Sequence, residues 1–267
     1  MSRSRGTVFT SLILAAGMAF AAGCGSKRAA ITMAGSTAFQ PFAEKLAERY
    51  MTAHPGVKVT VQGGGSAVGI QSALSGAAQI GMADLVTLPP EAASLTPVVV
   101  ARDGIAVIVH PSNPVTNMTM AQVRGIFSGT IKNWKDVDGP DRTVTVVSRE
   151  AGSGTRSSFE QIVGDFHLSP EAIVQDSNGT IRETVANDAQ SVGYLSHGLV
   201  NERIKAVRIA GEACTTESIV AGTYPLVRPI YLLTRGPPAG PMKEFLDYLL
   251  TPEAQGIIES SGLIRAK

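Results

Sequence analysis

Several residue types that support common protein functions are scarce in this chain of 267 residues. It has two cysteines and four histidines, and aromatic residues make up only 5% of it. Two cysteines cannot form the disulfide framework of a small secreted domain, and the histidines lack the spacing of a metal site. Few aromatics and no basic tract argue against nucleic-acid binding. The composition predicts a globular protein with no metal or other cofactor, organised as one large domain or two of roughly 100 to 150 residues.

The chain also lacks a strong net charge. It has 23 basic and 22 acidic residues, and the basic total falls to 21 without Arg3 and Arg5, which lie in a segment we expect to be removed. The mature protein would then be close to neutral. Its overall charge would not attract an anionic ligand, so any anion must be bound by local groups.

Residues 1–23 are typical of a secretory signal peptide. Arg3 and Arg5 precede an uncharged apolar run over residues 8–22, and small residues lead up to Cys24. The run is shorter than the ~20 residues that span a bilayer, which favours a cleaved leader over a membrane anchor. We therefore expect the protein to be exported.

The residues around Cys24 are similar to a bacterial lipobox, although Ala21 stands where leucine is usual. A lipidated Cys24 would anchor the protein on the periplasmic or cell-surface side of a membrane, with residues 24–30 as a tether. A disulfide between Cys24 and Cys214 is the alternative. We favour lipidation because the leader already gives Cys24 a role, which leaves Cys214 without one.

Short β-branched runs alternate with amphipathic helical patterns along the chain. In its first part the pattern predicts strands at residues 31–33, 57–61 and 80–82 and helices at 39–50 and 67–74. Farther along it predicts strands at 105–110, 144–147 and around 192–194, with a helix at 155–166. This alternation is typical of βαβ units and predicts largely parallel sheets, one in each part.

Two apolar segments, residues 98–110 and 225–233, have the character of strands that cross between two lobes. On this interpretation the first lobe comprises residues 31–105 and 225–267, including C-terminal helices at 242–250 and 252–260. The second lobe comprises residues 106–224. Two crossing strands would act as a hinge, and a ligand site would lie in the cleft between the lobes.

Four short stretches place glycine beside Ser, Thr or Asp at the start of a helix or the end of a strand. They are residues 34–38, 62–69, 81–84 and 148–155. A helix N-terminus exposes unpaired N–H groups and a partial positive charge, so it can receive an anion. Each stretch could instead be only a capped helix after a turn. Three helix starts together with one Arg and one Asp nevertheless predict a site for a small oxyanion, whereas no nucleotide P-loop or dinucleotide motif is present.

These four stretches, in this order and at these separations, resemble the periplasmic phosphate-binding proteins of ABC-type high-affinity phosphate uptake systems. The resemblance extends from Ile31 to about Leu263. It implies an α/β fold of the type II periplasmic-binding-protein class, with two lobes, a two-strand hinge and the ligand in the cleft. It also implies capture of inorganic phosphate and delivery to permease subunits. The implied phosphate-binding residues are Thr37, Ala38, Ser66, Asp84, Arg149, Ser153, Gly154 and Thr155; some family members have an aromatic residue where Ala38 stands.

Two side chains in this set have distinct chemistry. Arg149 offers paired planar donors to an oxyanion, although an ion pair with Glu150 is an alternative. Asp84 would repel a fully deprotonated anion and accept a proton from phosphate, which would exclude sulfate. Its alternative role is to cap the turn before Leu85.

Two other functions remain open at this point. The ligand could be another oxyanion, namely arsenate, sulfate or molybdate, of which arsenate carries a proton as phosphate does. Alternatively, Ser66 or Ser153 could be the nucleophile of a hydrolase or phosphatase. No histidine lies in the glycine-rich stretches and no Gly-x-Ser-x-Gly elbow surrounds either serine, so we predict a binding protein and not an enzyme.

Overall fold

The computed structural model describes residues 28–164 and 166–266. The predicted signal peptide and the lipidation at Cys24 therefore lie outside the described residues. None of the helices in the described ranges has the length and apolar character needed to span a bilayer.

The described residues form twelve strands and eight α-helices. The strands are β1 (Ala29–Gly35), β2 (Val57–Gln62), β3 (Ile80–Ala83), β4 (Thr96–Val109), β5 (Asn117–Met118), β6 (Thr145–Arg149), β7 (Ile173–Gln175), β8 (Ser191–Ser196), β9 (Lys205–Ala206), β10 (Arg208–Ile209), β11 (Val227–Thr234) and β12 (Ile264–Arg265). The helices are α1 (Gln40–Ala53), α2 (Ser66–Ser75), α3 (Met120–Phe127), α4 (Gly154–Val163), α5 (Asn178–Asn187), α6 (Thr216–Ala221), α7 (Gly240–Leu249) and α8 (Pro252–Ser260).

Separate hydrophobic cores define two α/β lobes. In the first lobe, Phe39, Leu46 and Tyr50 pack with side chains of the sheet and of the C-terminal helices α7 and α8. In the second lobe, Phe127 and Phe159 belong to a core built on β4, β6 and β8. The two lobes confirm the predicted α/β architecture, whereas the residue boundaries of the lobes remain a prediction.

Ten of the twelve strands described join into one mixed sheet, which corrects the prediction of two largely parallel sheets, and β5 and β10 form a separate two-stranded sheet. The main path of the mixed sheet runs β2, β1, β3, β11, β4, β8, β6, β7, and β9 and β12 pair with β4 beside it. The outer strands of each lobe pair in parallel, but β11 is antiparallel to β3 and β4, and β4 is antiparallel to β8. The chain leaves the first lobe on β4 and returns on β11, so these two neighbours must run in opposite directions.

Two predicted helix ends differ from the structure. The helix predicted at residues 39–50 starts at Gln40 and continues to Ala53, and residues 37–39 before it form a separate turn closed by the Ser36 hydroxyl. Helix α4 ends at Val163 instead of Phe166, because Gly164 adopts a left-handed φ of 96° and the Arg124 guanidinium donates to the Val163 carbonyl. The sequence interpretation also missed α3, α5 and α6.

Candidate functional site

Three chain segments bring helix starts to the junction of the lobes. The turn after β1 carries Thr37 and Ala38, α2 begins at Ser66, and α4 begins at Gly154 after the N-cap Ser153. Each of these helix starts follows the end of a strand after a short connection, so the order of the strands in the sheet decides where the helix starts lie. The arrangement matches the three helix starts expected from the sequence.

Close backbone contacts allow the first two starts to approach each other. A Cβ on Gly35 would lie 2.2 Å from the Met82 carbonyl oxygen, so the end of β1 can meet β3 only without a side chain. The backbone of Gly35 has a φ of 133°, which also favours glycine. Gly65, the N-cap of α2, donates its N–H to the Gly35 carbonyl over 2.9 Å. Gly35 is therefore required by the packing of β1 against β3.

Several backbone N–H groups at these helix starts have no acceptor in the described part of the chain. They belong to Thr37, Ala38, Ser66, Gly154 and Thr155. Initial N–H groups of a helix never have an intrahelical partner, but most are solvated or capped. Here Ala38, Ser66 and Thr155 are each only 1% exposed. A buried set of unpaired donors favours an anionic ligand.

Asp84 joins both lobes through its carboxylate. The Ser66 hydroxyl of the first lobe donates to Oδ1 over 2.6 Å, and the Thr155 hydroxyl of the second lobe donates to Oδ2 over 2.9 Å. Arg228 Nη1 lies 2.5 Å from Oδ2. Asp84 is 2% exposed, so donors from three separate elements stabilise a buried carboxylate.

The Arg149 guanidinium is buried and only partly paired. Its Nε and Nη2 donate to the Glu150 carboxylate over 2.9 and 2.8 Å, and Nη2 also donates to the Asp176 carbonyl. The ion pair considered as an alternative is therefore present. However, the Arg149 side chain is 1% exposed and its Nη1 has no partner in the described chain. An unpaired buried guanidinium nitrogen is costly, which indicates that an acceptor belongs there.

Two hydroxyl groups at the site can donate outward. Ser153 Oγ accepts the Arg156 N–H over 3.2 Å, and Thr37 Oγ1 accepts the Asn178 side-chain amide over 3.1 Å. Among the residues described, neither hydroxyl donates to a protein acceptor. By contrast, the hydroxyl protons of Ser66 and Thr155 are used on Asp84. The site therefore separates hydroxyls that can bind a ligand from hydroxyls that orient Asp84.

The lobes are in direct contact around these residues. A Cβ on Gly154 would lie 2.1 Å from Ser66 Oγ and 2.7 Å from Asp84 Oδ1. Ala67 N–H donates to the Gly152 carbonyl over 3.1 Å, which links α2 to the loop before α4. A cavity of about 160 Å³ adjoins this contact and shares Ser66, Ser153 and Gly154 with it. Thr37, Asp84 and Arg149 do not line that cavity, so the polar cluster lies beside it.

Three polar residues at the site were missed from the sequence. Arg228 and Asp103 lie directly opposite each other on β11 and β4, and Asn178 begins α5. The first hinge segment contains Arg102 and Asp103 inside an apolar run and the second contains Arg228, so an acidic and a basic residue were available for an ion pair across two neighbouring strands. No local pattern assigns Asn178 a role in the site, because its contact with Thr37 spans 141 positions.

The serine nucleophiles considered earlier have no histidine partner in the described ranges. Ser66 Oγ bonds to Asp84, Ser153 Oγ accepts the N–H of Arg156, and neither hydroxyl contacts a histidine. The residues that the structure describes contain no group of three or more His, Cys, Asp or Glu side chains suited to hold a metal ion.

Comparison with known proteins gives consistent relatives. Residues 21–253 match the PBP superfamily domain. The chain is 33% identical to the phosphate-binding protein PstS of Bacillus subtilis, with 95% of this chain and 92% of the relative covered. It is 26% identical to the phosphate-binding protein PstS of Borreliella burgdorferi, over 89% of this chain and 90% of the relative.

Solved structures with similar folds include two ABC-type phosphate receptors. One is a substrate-binding protein assigned to a phosphate ABC transporter of Clostridium perfringens, with bound phosphate; its TM-score is 0.87 and its identity 35%, over 89% of this chain and 100% of that chain. The other is an ABC-type phosphate transport receptor from Vibrio cholerae, with a TM-score of 0.74 and 38% identity, over 88% of this chain and 99% of that chain.

Proposed function

The chain belongs to the PBP superfamily and, within it, to the family of PstS phosphate-binding proteins, and from this premise we propose that it captures inorganic phosphate for an ABC transporter. It would bind phosphate outside the cytoplasm and deliver it to the permease subunits. Closure of the two lobes would enclose the anion, and the permease would recognise the closed form.

The observation that carries this proposal is the unpaired Nη1 of the buried Arg149. We assign to phosphate this nitrogen, the hydroxyls of Thr37 and Ser153, and the unpaired N–H groups at the helix starts. The remaining positive charge of Arg149 is partly compensated by Glu150. Most donors are therefore neutral dipoles, which fits a chain with almost no net charge.

The Asp84 carboxylate favours binding of phosphate over binding of a fully deprotonated anion. Each carboxylate oxygen has two lone pairs. Oδ2 already receives Thr155 and Arg228, whereas Oδ1 receives only Ser66. One acceptor position on Oδ1 thus remains for a ligand proton, which phosphate has and sulfate at neutral pH lacks. Arsenate also carries a proton, so it remains an alternative ligand.

Calorimetric titration of the leaderless protein with phosphate and with sulfate tests this function. We expect phosphate to bind with a Kd of about 1 μM or tighter, which corresponds to about −8 kcal/mol, and sulfate not to compete. Absence of phosphate binding would contradict the proposal. The variant Asp84→Asn should bind phosphate more weakly and gain tolerance for sulfate, because an amide can donate to an unprotonated oxygen.

The matched control is Asp141→Asn. Asp141 is 74% exposed and pairs with Lys135 on the surface, so its loss should leave both titrations unchanged. If Asp84→Asn also leaves both unchanged, the account of selectivity is wrong even though phosphate binds.

We also propose that the protein is exported and held at the membrane by a lipidated Cys24. The leader and the lipobox-like residues before Cys24 support this. Separation of cells into membrane and soluble fractions tests it, since an unlipidated protein would be recovered in the soluble fraction.

The serine-dependent hydrolase is the weaker candidate. A serine nucleophile of the Ser–His type needs a histidine within hydrogen-bond reach, and in the described chain neither the Ser66 nor the Ser153 hydroxyl contacts one. We therefore propose a non-catalytic receptor.

A further inference from the structure

A buried ion-pair network lies in the hinge, next to the proposed phosphate site. Arg228 on β11 donates through Nε and Nη2 to Asp103 Oδ2 over 3.2 and 2.8 Å. Its Nη1 lies 2.5 Å from Asp84 Oδ2 and 3.4 Å from the Asp84 carbonyl oxygen. The side chains of Arg228 and Asp103 are fully buried and that of Asp84 is 2% exposed. One guanidinium therefore joins two carboxylates inside the protein.

The network continues into the second lobe and returns to the site. Asp103 Oδ1 accepts the Ser196 hydroxyl over 2.8 Å, and Ser196 N–H donates to Asn178 Oδ1 over 3.1 Å. The Asn178 amide then donates to Thr37 Oγ1. A continuous path of polar contacts thus connects Asp84 through the hinge strands to Thr37. Both ends of this path are residues that we assign to phosphate.

Arg228 has no role in direct phosphate binding, since its three nitrogens all face Asp84 and Asp103. Without it, Asp84 would have only the hydroxyls of Ser66 and Thr155 as donors, with a second buried carboxylate close by. Buried carboxylates without a cation take up protons, because the charged form is poorly solvated. A protonated Asp84 could donate to an anion that carries no proton.

We propose that Arg228 is a specificity-determining positioning residue that keeps Asp84 ionised and turned with Oδ1 toward the ligand. Rejection of unprotonated oxyanions then depends on this hinge residue as well as on Asp84. The inference rests on the proposed function, because it concerns selection among anions at the same site.

Asp103 completes the arrangement by holding the other side of the guanidinium. Burial raises the pKa of Asp103, whereas Arg228 and the Ser196 hydroxyl act in the opposite direction. His197, Cys214 and Tyr224 are the other titratable groups that face Asp103 in the described chain. A neutral Asp103 would leave Arg228 as the counter-ion of Asp84 alone, so Asp103→Asn should preserve the ionised state of Asp84.

The test compares two variants of the leaderless protein, Asp103→Asn and the double variant Arg228→Met with Asp103→Asn. In the first, one cation faces one carboxylate. In the second, Asp84 is the sole charged member of the network. Phosphate and sulfate affinities are measured by calorimetry and by competition, at about pH 8 and about pH 5.5, one value above and one below neutral pH. Both variants experience the same change in phosphate ionisation, so the first controls for it.

We expect Asp103→Asn to reject sulfate as the unmodified protein does. The double variant should show a ratio of sulfate Kd to phosphate Kd at least about tenfold smaller, with the larger decrease at the lower pH. A purely structural role would weaken both ligands together and leave the ratio unchanged at both pH values. An unchanged ratio in a folded double variant would overturn the inference.

Folding is checked by circular dichroism and by the melting temperature. If the double variant does not fold, Arg228→Gln replaces it and is held to the same expected ratio and the same contrary result. Failure of the proposed function has a different signature, because the unmodified protein would then bind no phosphate. Phosphate binding with an unchanged ratio in the Arg228 variants would reject only the inference.

Discussion

Arg149 in the cleft and Arg228 in the hinge are both buried arginines, but their surroundings differ. Arg149 pairs with Glu150, which is 32% exposed, and its Nη1 has no partner in the described chain. Arg228 uses all three nitrogens on two buried carboxylates. The cleft arginine therefore has binding capacity left over, whereas the hinge arginine has none.

The difference shows that two similar buried side chains can have different roles, one in ligand binding and one in stability. An incompletely paired guanidinium gains its missing partner when an anion binds, so the free energy of that contact contributes to the affinity for the anion. A completely paired guanidinium between buried carboxylates contributes to the stability of the fold and to the charge of its neighbours. Burial alone does not separate these roles; the inventory of hydrogen-bond partners does.

The largest expected effect separates the two arginines directly. Arg149→Met should weaken phosphate binding more than about a hundredfold, or about 3 kcal/mol, because charge-assisted hydrogen bonds to the anion are lost. Its unfolding free energy should change little, since water can reach Glu150. Arg228→Met should instead cost about 3–5 kcal/mol of unfolding free energy, because two buried carboxylates lose their cation. Calorimetry and denaturant unfolding measure the two quantities.

Arg182→Met provides the control for the loss of an arginine. Arg182 is 30% exposed and pairs with Glu183, so neither affinity nor stability should change strongly. If Arg149→Met lowered stability as much as Arg228→Met and left the affinity intact, the distinction between cleft and hinge would fail.

A smaller effect is expected from Gly154→Ala, which tests the contact between the lobes. The added Cβ would overlap Ser66 Oγ and approach Asp84, so the lobes could not close fully. Since no positive φ is involved, alanine fits the backbone at the start of α4. We expect phosphate affinity to fall about tenfold or more, with the melting temperature of the ligand-free protein nearly unchanged.

Gly152→Ala is the matched control, because its Cβ would make only an ordinary 3.4 Å contact with the Ala67 side chain. Equal losses of affinity in Gly152→Ala and Gly154→Ala would show that loop stiffness, and not the steric overlap, is responsible.

The smallest expected effect is a change in the pH dependence of stability, and it concerns His197, which follows β8. Burial lowers the pKa of His197 below its ordinary value of 6.5. The unfolded chain therefore binds a proton at this residue before the folded protein does, and stability should fall as the pH drops below about 6.5. In His197→Gln this decrease should be smaller, whereas phosphate affinity should be unaffected. Urea midpoints at about pH 7.5 and about pH 5.5 measure it, and an equal decrease in both proteins would contradict the assignment.

Much of the candidate site could be predicted from short stretches of sequence. The start of α2 at Ser66 and the start of α4 after Ser153 follow glycine and hydroxyl residues whose effect on the backbone is local. Helix α8 likewise begins at Pro252 and ends at Ser260 as its pattern predicted. The end of α4 was missed because the glycine at residue 164 stops the helix before its apolar pattern ends.

The sheet was harder to predict, because strand order is a property of the whole chain. The apolar segments that became β4 and β11 were recognised as strands that cross between lobes. Their antiparallel pairing, which merges all the main strands into one mixed sheet, followed from the return of the chain and not from either segment alone.

The sequence by itself determined which chemical groups are available: hydroxyls and N–H groups at helix starts, one aspartate and one arginine in glycine-rich turns. Only the tertiary structure decided which of them stay unpaired. Arg228 meets Asp103 and Asp84 across 125 and 144 positions, and Asn178 meets Thr37 across 141. Helix starts depend on neighbours within a few residues, whereas the pairing and charge of a buried side chain depend on groups that folding brings from distant parts of the chain.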